Sequence, residues 1–291
     1  MSQSVRPLLI RAASRLRDVG VESPEQEARQ LLAFAIGVEP ARLPLLDAVE
    51  DAQAAHFHTL IDKRSHRIPL QHLTGQAHFR YLQLDVGPGV FVPRPETEVM
   101  TGWAIEQLRP MVYAVARGES RHLPVVVELG TGSGAIAKSI ATELTGTRVY
   151  AVEVSEEAAA YAMRNLADTT VELHVQDMSG ALPQLNGTVD LVIANPPYIP
   201  PDERLAMARE ARDHDPAMAL FAGRQGLEAI EVVIATAARL LRTAGVLCFE
   251  HGENQNESAP ALANASGSFV DVADHRDLTG RPRFMTAVRR A

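Results

Sequence analysis

The chain has 291 residues, of which 46% are hydrophobic, and its formal net charge at pH 7 is −8. A chain of this length can bury a substantial core, and one large domain with one small domain is the expected organisation. The acidic balance argues against stable nucleic-acid binding over a broad surface, because phosphate contacts need clustered lysine and arginine. Lys63, Arg64 and Arg67 form the densest basic cluster, which is interpreted as a solvated helix end.

The cysteine, histidine and apolar patterns exclude further classes of protein. Cys248 is the single cysteine, so no disulfide can form within the chain. This cysteine content agrees with a protein of a reducing compartment. The ten histidines lack ligand-like spacing, so no metal site is predicted. The sequence shows neither a signal peptide nor an apolar run of about 18 residues, which predicts a cytoplasmic protein that does not bind membranes.

Residues 1–72 are predicted to form a small helical domain. Ser23 is expected to begin one of its helices, with Gln26 completing a capping box, and that helix is expected to end near Gly37. A further helix is predicted over residues 47–67, before Pro69. Its inward side chains are predicted to be Ala48, Ala55, Leu60 and Ile61. No catalytic constellation is visible in this domain.

Residues 73–95 are predicted to form a β-hairpin that links two domains. Apolar and polar residues alternate over residues 77–86, which is typical of a half-buried strand. The turn is expected at Gly87-Pro88-Gly89, because glycine and proline favour tight turns. Residues 90–92 are expected to pair back against the first strand.

Residues 96–291 are predicted to form an α/β domain. A helix is expected through Leu108, followed by an exposed loop over residues 110–124. From there strands and helices alternate, which predicts a parallel sheet covered by helices on both faces. The last two strands, near residues 269–273 and 283–288, have no helix between them and are expected to pair antiparallel.

A glycine-rich loop follows the predicted strand 125–129. Its sequence is Gly130-Thr131-Gly132-Ser133-Gly134, and strand, glycine loop and helix in this order indicate nucleotide binding. Three strand ends are predicted to bring together Glu128, Glu153 and Asp177, and a carboxylate at the position of Glu153 can accept ribose hydroxyls. The loop contains no lysine or arginine, so the pocket suits a positively charged nucleoside without phosphate, such as S-adenosylmethionine.

The segment Asn195-Pro196-Pro197-Tyr198 ends the predicted strand 189–194. Neither proline has an N–H group, so the loop is stiff and its backbone offers mainly acceptors. The Asn195 oxygen and the Pro196 carbonyl could hold the two hydrogens of a substrate –NH₂ while the Tyr198 ring covers its flat face. The alternative is a proline-rich turn in which Asn195 is only a cap. Together with the glycine loop and the spaced acids, the segment favours the clamp for a planar nitrogen.

Three segments closely resemble the release factor glutamine methyltransferases (the PrmC/HemK family). They are residues 87–98, which include Pro-Arg-Pro-Glu-Thr-Glu, residues 128–137 and residues 195–200. The resemblance covers nearly the whole chain. It implies a class I S-adenosylmethionine-dependent methyltransferase fold, with a seven-stranded, mostly parallel, doubly wound sheet behind a helical N-terminal domain that recognises the substrate.

The resemblance also implies a reaction and a set of site residues. Members of the family methylate the side-chain amide nitrogen (N5) of the glutamine in the Gly-Gly-Gln motif of peptide chain release factors, the proteins of translation termination. By resemblance, Asn195, Pro196 and Tyr198 are catalytic, and together with Pro197 they hold the glutamine. The implied cofactor residues are Glu128, Gly130, Thr131, Gly132, Ser133, Gly134, Glu153, Asp177, Met178 and Asn195. Family members usually have aspartate at the positions of Glu128 and Glu153, and an aromatic residue at that of Met178.

Three alternatives remain open at this point. A ribosomal-protein glutamine methyltransferase would share the chemistry and differ in the partner. A nucleic-acid amino-methyltransferase acting on adenine or guanine would use the same Asn-Pro-Pro-aromatic segment, but the chain lacks a basic, aromatic-rich recognition segment. A non-catalytic cofactor-binding protein would keep the glycine loop and lose Asn195 and Tyr198, and both are present. His251 is interpreted as a structural histidine rather than a proton relay.

Overall fold

The structure is a computed structural model that describes residues 2–223 and 225–291. The chain forms two compact units. The first unit contains the residues up to Gln76 together with Ala208–His214, and the second contains Ala77–Met207 and Asp215–Ala291. The division into domains at residues 72 and 95 stays a prediction. Nothing in the sequence pattern indicated that residues 208–214 join the first unit.

The regular elements are numbered in chain order. The α-helices are α1 (Val5–Asp18), α2 (Pro24–Ile36), α3 (Asp51–Ser65), α4 (Leu70–Thr74), α5 (Pro95–Ala116), α6 (Ala135–Glu143), α7 (Glu156–Leu166), α8 (Arg209–His214), α9 (Ala217–Leu220), α10 (Glu228–Leu240) and α11 (Ser258–Ala265). The β-strands are β1 (Ser2–Ser4), β2 (Ala48–Glu50), β3 (Gln76–Phe79), β4 (Leu82–Asp85), β5 (Val125–Leu129), β6 (Arg148–Glu153), β7 (Glu172–Val175), β8 (Val189–Ala194), β9 (Leu241–Glu250), β10 (Phe269–Arg276) and β11 (Pro282–Arg289). Short 3₁₀ helices lie at Pro40–Leu45, Met178–Gly180, Pro183–Leu185, Pro201–Ala206 and Glu253–Gln255.

The first unit is built around an apolar core between α1, α2 and α3, as the helical prediction required. Gly37 caps the carboxyl end of α2, near the predicted end, with a left-handed φ of 72° that glycine adopts without steric cost. The predicted capping box is wrong, because the Ser23 side chain makes no capping hydrogen bond. Helix α3 begins at Asp51, later than predicted, because Ala48 lies in the short strand β2, which pairs antiparallel with β1. Its buried apolar residues are Ala54, Phe57, Leu60 and Ile61, so the prediction was wrong for Ala48 and Ala55.

The interpretation of the basic cluster as a solvated helix end is wrong for two of its three residues. Arg64 is 4% exposed and donates to Glu27 Oε2 at 2.5 Å and to Glu210 Oε1 at 2.8 Å. Arg67 donates to Glu210 Oε2 at 2.6 Å. A buried guanidinium needs such partners, since an unpaired buried charge is costly. These ion pairs hold α8 within the first unit.

The hairpin exists, but its turn is not where the sequence pattern placed it. Strands β3 and β4 form a two-stranded sheet, and the turn between them contains Arg80, which has a φ of 52°. The Arg80 guanidinium donates to both carboxylate oxygens of Glu143, at 2.6 and 2.7 Å, which anchors the turn. The buried positions change parity across the turn: Ala77 and Phe79 are buried before it and Leu84 and Val86 after it, while Tyr81 is 86% exposed. The alternation therefore breaks at the turn, where the apolar residues Tyr81 and Leu82 are adjacent. The chain does turn at residues 87–90, where the Val90 N–H donates to the Gly87 carbonyl at 3.3 Å. This turn does not close the hairpin, and the predicted pairing of residues 90–92 is wrong, because they lie outside any strand.

The second unit contains a seven-stranded sheet with the order β10-β11-β9-β8-β5-β6-β7. Strands β7, β6, β5, β8 and β9 are parallel to their neighbours, whereas β11 pairs antiparallel with both β9 and β10. One face packs against α10 and α11, and the other against α5, α6 and α7. The predicted doubly wound, mostly parallel sheet with a final antiparallel pair is therefore confirmed.

Helix α5 is longer than predicted. It spans 22 residues and continues through Pro110 to Ala116, so the exposed loop predicted over residues 110–124 is wrong in its first half. Proline removes one helical hydrogen bond, but Val112 still packs against the core beyond it. No helix in the described ranges is both long and apolar enough to cross a membrane.

Candidate active site

The carboxyl ends of β5, β6 and β8 face one cavity of about 400 Å³ in the second unit. The strand order reverses at β5, which has β6 on one side and β8 on the other. Open α/β sheets bind ligands at such switch points. Of the residues predicted to bind the cofactor, those that line the cavity are Glu128, Gly130, Thr131, Gly132, Ser133, Glu153, Asp177, Met178 and Asn195. The structure therefore brings together residues from separate strand ends.

The glycine loop leaves space where side chains would otherwise stand. Gly130, Gly132 and Gly134 have φ values of 74°, 56° and 83°, a region that other residues rarely adopt. A Cβ atom added to Gly130 or Gly132 would meet nothing within 4 Å. At Gly134 it would lie 3.1 Å from Leu166. Gly130 and Gly132 therefore leave room beside the cavity, whereas Gly134 caps α6 and allows close packing of α6 against α7.

The carboxyl group of Glu128 holds the glycine loop in place through hydrogen bonds. Its Oε2 atom accepts hydrogen bonds from Thr131 Oγ1 at 2.6 Å and from the Ala137 N–H at 2.9 Å. Burial raises the pKa of Glu128 to about 8, against the effect of these two donors, and the charge of Glu153 raises it further. The carboxyl group ties the start of the loop to the first turn of α6.

Glu153 stands at the end of β6 with a fixed carboxylate. Its Oε2 accepts from the Gly132 N–H at 2.8 Å, and its Oε1 accepts from the N–H groups of Val154 and Ser155, both at 2.9 Å. A carboxylate offers about four lone-pair directions, so acceptor capacity remains for a ligand hydroxyl. The side chain is mostly buried, which strengthens any such hydrogen bond.

Asp177 and Met178 form another part of the cavity wall, just beyond β7. Asp177 Oδ1 accepts from the hydroxyl of Ser179 at 2.6 Å and from its N–H at 2.8 Å. These two hydrogen bonds lower the pKa of Asp177, so the group is a carboxylate at neutral pH. Met178 also packs against the core of the sheet, which supplies an apolar surface beside this acid.

The Asn195 amide lies at the end of β8 with its nitrogen already engaged. Asn195 Nδ2 donates to Thr97 Oγ1 at 3.2 Å, and Thr97 Oγ1 donates to Glu250 Oε2 at 2.6 Å. No hydrogen bond to Asn195 Oδ1 comes from the part of the chain that the structure describes. The amide oxygen is the group left to accept from a ligand. Pro196 and Pro197 line the cavity next to it.

Tyr198 has a different environment from the other three residues of its segment. Its hydroxyl donates to Glu250 Oε1 at 2.9 Å, and burial raises its pKa. The side chain lines a second cavity that also contains Ile199, Glu203 and Arg283. Within the described part of the chain, Tyr198 does not line the first cavity. Tyr198 thus anchors its loop to the end of β9.

The sequence did not predict roles for four residues of the site. They are Arg94 and Thr97, which line the cavity, and Asp215 and Glu250, which support them. Arg94 Nη2 donates to Asp215 Oδ2 at 2.5 Å, and its guanidinium lies over the Phe91 ring at 4.9 Å. Burial raises the pKa of Asp215 to about 6 and also raises that of Glu250. A sequence signal existed for Glu250, since it ends β9 as Glu153 ends β6, and Glu128 lies one residue before the end of β5.

His251 has the structural role that was predicted for it. It is completely buried, with Nε2 at 2.9 Å from Asp274 Oδ1 and Nδ1 at 2.9 Å from the Gly252 carbonyl oxygen. Both ring nitrogens are therefore occupied. Among residues 2–223 and 225–291, no three or more histidine, cysteine, aspartate or glutamate side chains are grouped so that they could hold a metal ion.

The cavity fits a cationic nucleoside without phosphate. Open space at two glycines leaves room for a ligand against the loop backbone, and Glu153 and Asp177 provide negative charge. Among residues 2–223 and 225–291, the lining contains no lysine, and its arginine, Arg94, is already paired with Asp215. A phosphate would meet carboxylates here, whereas a sulfonium would be stabilised by them.

Two family models match the chain. Residues 7–75 match the PrmC N-terminal domain, and residues 126–214 match a methyltransferase domain. One solved structure with a similar fold is that of the hMettl16 catalytic domain in complex with MAT2A 3′UTR hairpin 6, with a TM-score of 0.52 and 17% sequence identity. The alignment covers 83% of this chain and 82% of that one, and at this identity the likeness shows the fold alone.

Curated relatives are similar along nearly the whole chain. The release factor glutamine methyltransferase of Streptomyces coelicolor is 47% identical over 277 residues, which cover 95% of each chain. The protein of the same name from Mycolicibacterium smegmatis is 42% identical over 287 residues, 98% of each chain. A 4-amino-L-phenylalanine/4-methylamino-L-phenylalanine methyltransferase of Streptomyces pristinaespiralis is 39% identical over 280 residues, 96% of this chain and 92% of that protein.

Proposed function

Since the chain belongs to the release factor glutamine methyltransferase family, we propose that it methylates the side-chain amide nitrogen (N5) of the Gly-Gly-Gln glutamine in peptide chain release factors. The observation that carries this proposal to the site is Asn195, which lines the cavity and whose Oδ1 accepts no hydrogen bond from the residues that the structure describes. The cytoplasm, where translation termination takes place, is the proposed location.

The cofactor is S-adenosylmethionine, which supplies an electrophilic methyl group on its sulfonium. Several residues of the chain would hold it. Gly130 and Gly132 would leave room for its methionine part, and Glu153 would accept from the ribose hydroxyls. Asp177 and Met178 would border the adenine. These assignments are supported by the cavity lining and by the carboxylates that the backbone holds in place.

Asn195 and Pro196 would orient the substrate amide nitrogen, which is a weak nucleophile. The lone pair of a carboxamide nitrogen is delocalised into its carbonyl, so the nitrogen reacts only when it is aligned for in-line displacement, with about 3–3.5 Å between reacting atoms. Acceptors at Asn195 Oδ1 and the Pro196 carbonyl would direct both N–H bonds and favour the pyramidal nitrogen of the transition state. Such contacts strengthen on reaction and therefore raise turnover.

No strong base is needed in this scheme. The nitrogen becomes acidic only once it has been alkylated, and its proton can then leave to water. This agrees with the surroundings of His251, whose two ring nitrogens are engaged away from the cavity lining. Water exclusion falls to the apolar lining, including the two prolines after Asn195.

The test is a comparison of acceptors with the purified full-length protein and labelled S-adenosylmethionine. Release factor, ribosomes, DNA and a release factor with asparagine in place of the Gly-Gly-Gln glutamine are incubated separately. We expect label on intact release factor and none on the asparagine variant. Label on ribosomal protein or on DNA, with release factor unlabelled, would contradict the proposal.

A second candidate substrate is a small aromatic amine. It is favoured by the 39% identity to a protein named for methylating 4-amino-L-phenylalanine, because an arylamine also presents a planar nitrogen that Asn195 could orient. Adding 4-amino-L-phenylalanine to the same assay separates the two. The substrate with the higher kcat/KM is the preferred one, and we expect it to be release factor.

A further inference from the structure

The Asn195 amide is linked by hydrogen bonds to Thr97 and, through Thr97, to Glu250. Glu250 is 2% exposed and lies at the end of β9, next to β8 in the sheet. Its two carboxylate oxygens accept from different hydroxyls: Oε2 from Thr97 at 2.6 Å and Oε1 from Tyr198 at 2.9 Å. Thr97 Oγ1 in turn accepts from Asn195 Nδ2 at 3.2 Å. One carboxylate thus connects to both ends of the Asn-Pro-Pro-Tyr segment.

The direction of these hydrogen bonds follows from the number of available hydrogens. Ionised Glu250, the form that the nearby charge of Arg283 favours, has none to give, and a threonine hydroxyl has one. Because Thr97 uses its single hydrogen on Glu250, its oxygen can act only as an acceptor toward Asn195. The atom of Asn195 that faces Thr97 must then be the nitrogen, which turns the amide oxygen toward the ligand side.

This direction matters for the chemistry of the clamp. A substrate –NH₂ brings two donors, so it needs acceptors. If the amide of Asn195 were turned over, its own –NH₂ would face the substrate –NH₂, and two donors would oppose each other. The difference between the two orientations is therefore a difference between a hydrogen bond and an unpaired polar contact, and unpaired buried donors are costly.

We propose that Thr97 and Glu250 are positioning residues, which fix the Asn195 amide with its oxygen toward the substrate nitrogen and so set the preference of the site for an –NH₂ acceptor. The proposal rests on the proposed function and adds two residues to it. Thr97 acts on the substrate through Asn195, and Glu250 acts through Thr97.

The first test removes the hydroxyl of Thr97 while keeping the shape of its side chain. In Thr97→Val we expect kcat on release factor to fall by roughly 10-fold or more, since one transition-state partner becomes free to misorient. The affinity for S-adenosylmethionine, measured by calorimetry, should change by less than about 3-fold. Thr97→Ser should recover most of the lost turnover, because it restores the hydroxyl. Thr97→Ala, which cannot overfill the site, should repeat the loss.

Thr101 provides a matched control. It lies one turn later in α5, is completely buried, and its hydroxyl donates to the Thr97 carbonyl at 2.9 Å. Thr101→Val removes a buried hydroxyl from the same helix without touching Asn195 or Glu250. Its turnover should stay within about 2-fold of the wild type. An equal loss in Thr101→Val and Thr97→Val would overturn the proposal in favour of a general effect on helix packing.

A double-mutant cycle provides the decisive measurement. If Thr97 acts through Asn195, the variant Asn195→Ala/Thr97→Val should be no slower than Asn195→Ala alone, because interacting residues are not additive. Additive losses would overturn the proposal, as would full turnover in Thr97→Val. These outcomes are distinct from failure of the proposed function, which would show as no methylation of release factor by the wild-type protein.

Discussion

Asn195 has its amide nitrogen bonded to Thr97 Oγ1 at 3.2 Å and its amide oxygen available at the cavity. Removing this side chain should affect the reacting nitrogen more than the cofactor. We predict that Asn195→Ala lowers single-turnover rates on release factor by roughly 10²-fold or more, by analogy with the loss of one transition-state hydrogen-bond partner. The affinity for S-adenosylmethionine should fall far less. A variant that reacts at the wild-type rate would rule out the clamp.

Glu153 should matter for binding rather than for the rate. A hydrogen bond to a charged group is worth about 1.5–3 kcal/mol, so Glu153→Ala should weaken S-adenosylmethionine binding roughly 10- to 100-fold, measured by calorimetry. Part of the loss will come through Gly132, whose N–H donates to this carboxylate. Glu156→Ala is the control, because Glu156 is an exposed acid three residues away that does not line the cavity. Equal affinity in both variants would remove Glu153 from the site.

Asp215 should make stability depend on pH. Burial raises the pKa of its carboxyl group to about 6, although Arg94 and the Val92 N–H lower it. An aspartate in the unfolded chain titrates near pH ~3.9. Between these two values the folded protein keeps a proton that the unfolded chain has released. The contribution of this group to stability is therefore complete below about pH 4 and is lost as the pH rises to about 6, a change of about 3 kcal/mol in the free energy of unfolding.

Asp215→Asn tests this dependence, because asparagine keeps the size of the side chain and cannot ionise. Relative to the wild type, the variant should gain stability as the pH is raised from about 4 to 6, and the difference should then stay constant. The free energy of unfolding is measured by denaturant titration at several pH values. A difference between the two proteins that does not vary with pH would contradict the prediction.

At the scale of elements, the Asn-Pro-Pro-Tyr loop depends on a close backbone approach. Gly226 has a φ of 70°, and a Cβ atom there would lie 2.1 Å from the Tyr198 carbonyl oxygen. Gln255 Nε2 donates to that same carbonyl at 3.0 Å. A side chain at residue 226 must therefore displace the loop that carries Asn195.

Gly226→Ala is predicted to lower both stability and turnover. Gly187→Ala is the matched control, because Gly187 has a φ of 68° and nothing within 4 Å of an added Cβ. Both variants carry the cost of a left-handed alanine, about 1–2 kcal/mol. Gly226→Ala should lose at least about 1 kcal/mol more, from overpacking, and should react more slowly. Equal losses in denaturant titration would show that the loop tolerates the displacement.

The elements also show which parts of the structure the sequence could predict. Glu128 and Thr131 are three residues apart, and strand, glycine loop and helix follow one another, so spacing predicted them. Thr97 and Glu250 are 153 residues apart, and no local pattern reports a contact over that distance. The hairpin turn was predicted in the wrong place because it contains no glycine, and the ion pair of Arg80 with Glu143 anchors it instead.

At the scale of the whole molecule, the cavity alone provides too little contact surface to select a release factor. A glutamine at the tip of a loop presents little surface, so specificity for a release factor requires a second contact on that protein. The first unit has a groove of about 930 Å³ lined by Leu9, Ile10, Leu43 and Pro44, with Arg6 and Arg29 among its charged residues. Ile10 is 61% exposed there, and exposed apolar side chains in a groove are typical of partner sites.

Ile10→Asp is therefore predicted to lower kcat/KM for intact release factor by roughly 10-fold or more, because a buried contact would be replaced by a charge. A short Gly-Gly-Gln peptide should be a poor substrate for the wild type and for the variant alike, since it lacks the remote contact that orients the reacting group. Met163→Asp is the control, because Met163 is 63% exposed on α7 and lies outside both cavities that contain site residues. Should the peptide react as fast as the intact factor, or should Ile10→Asp leave the intact factor unaffected, the groove has no part in recognition, and the partner must be read by the methyltransferase domain alone.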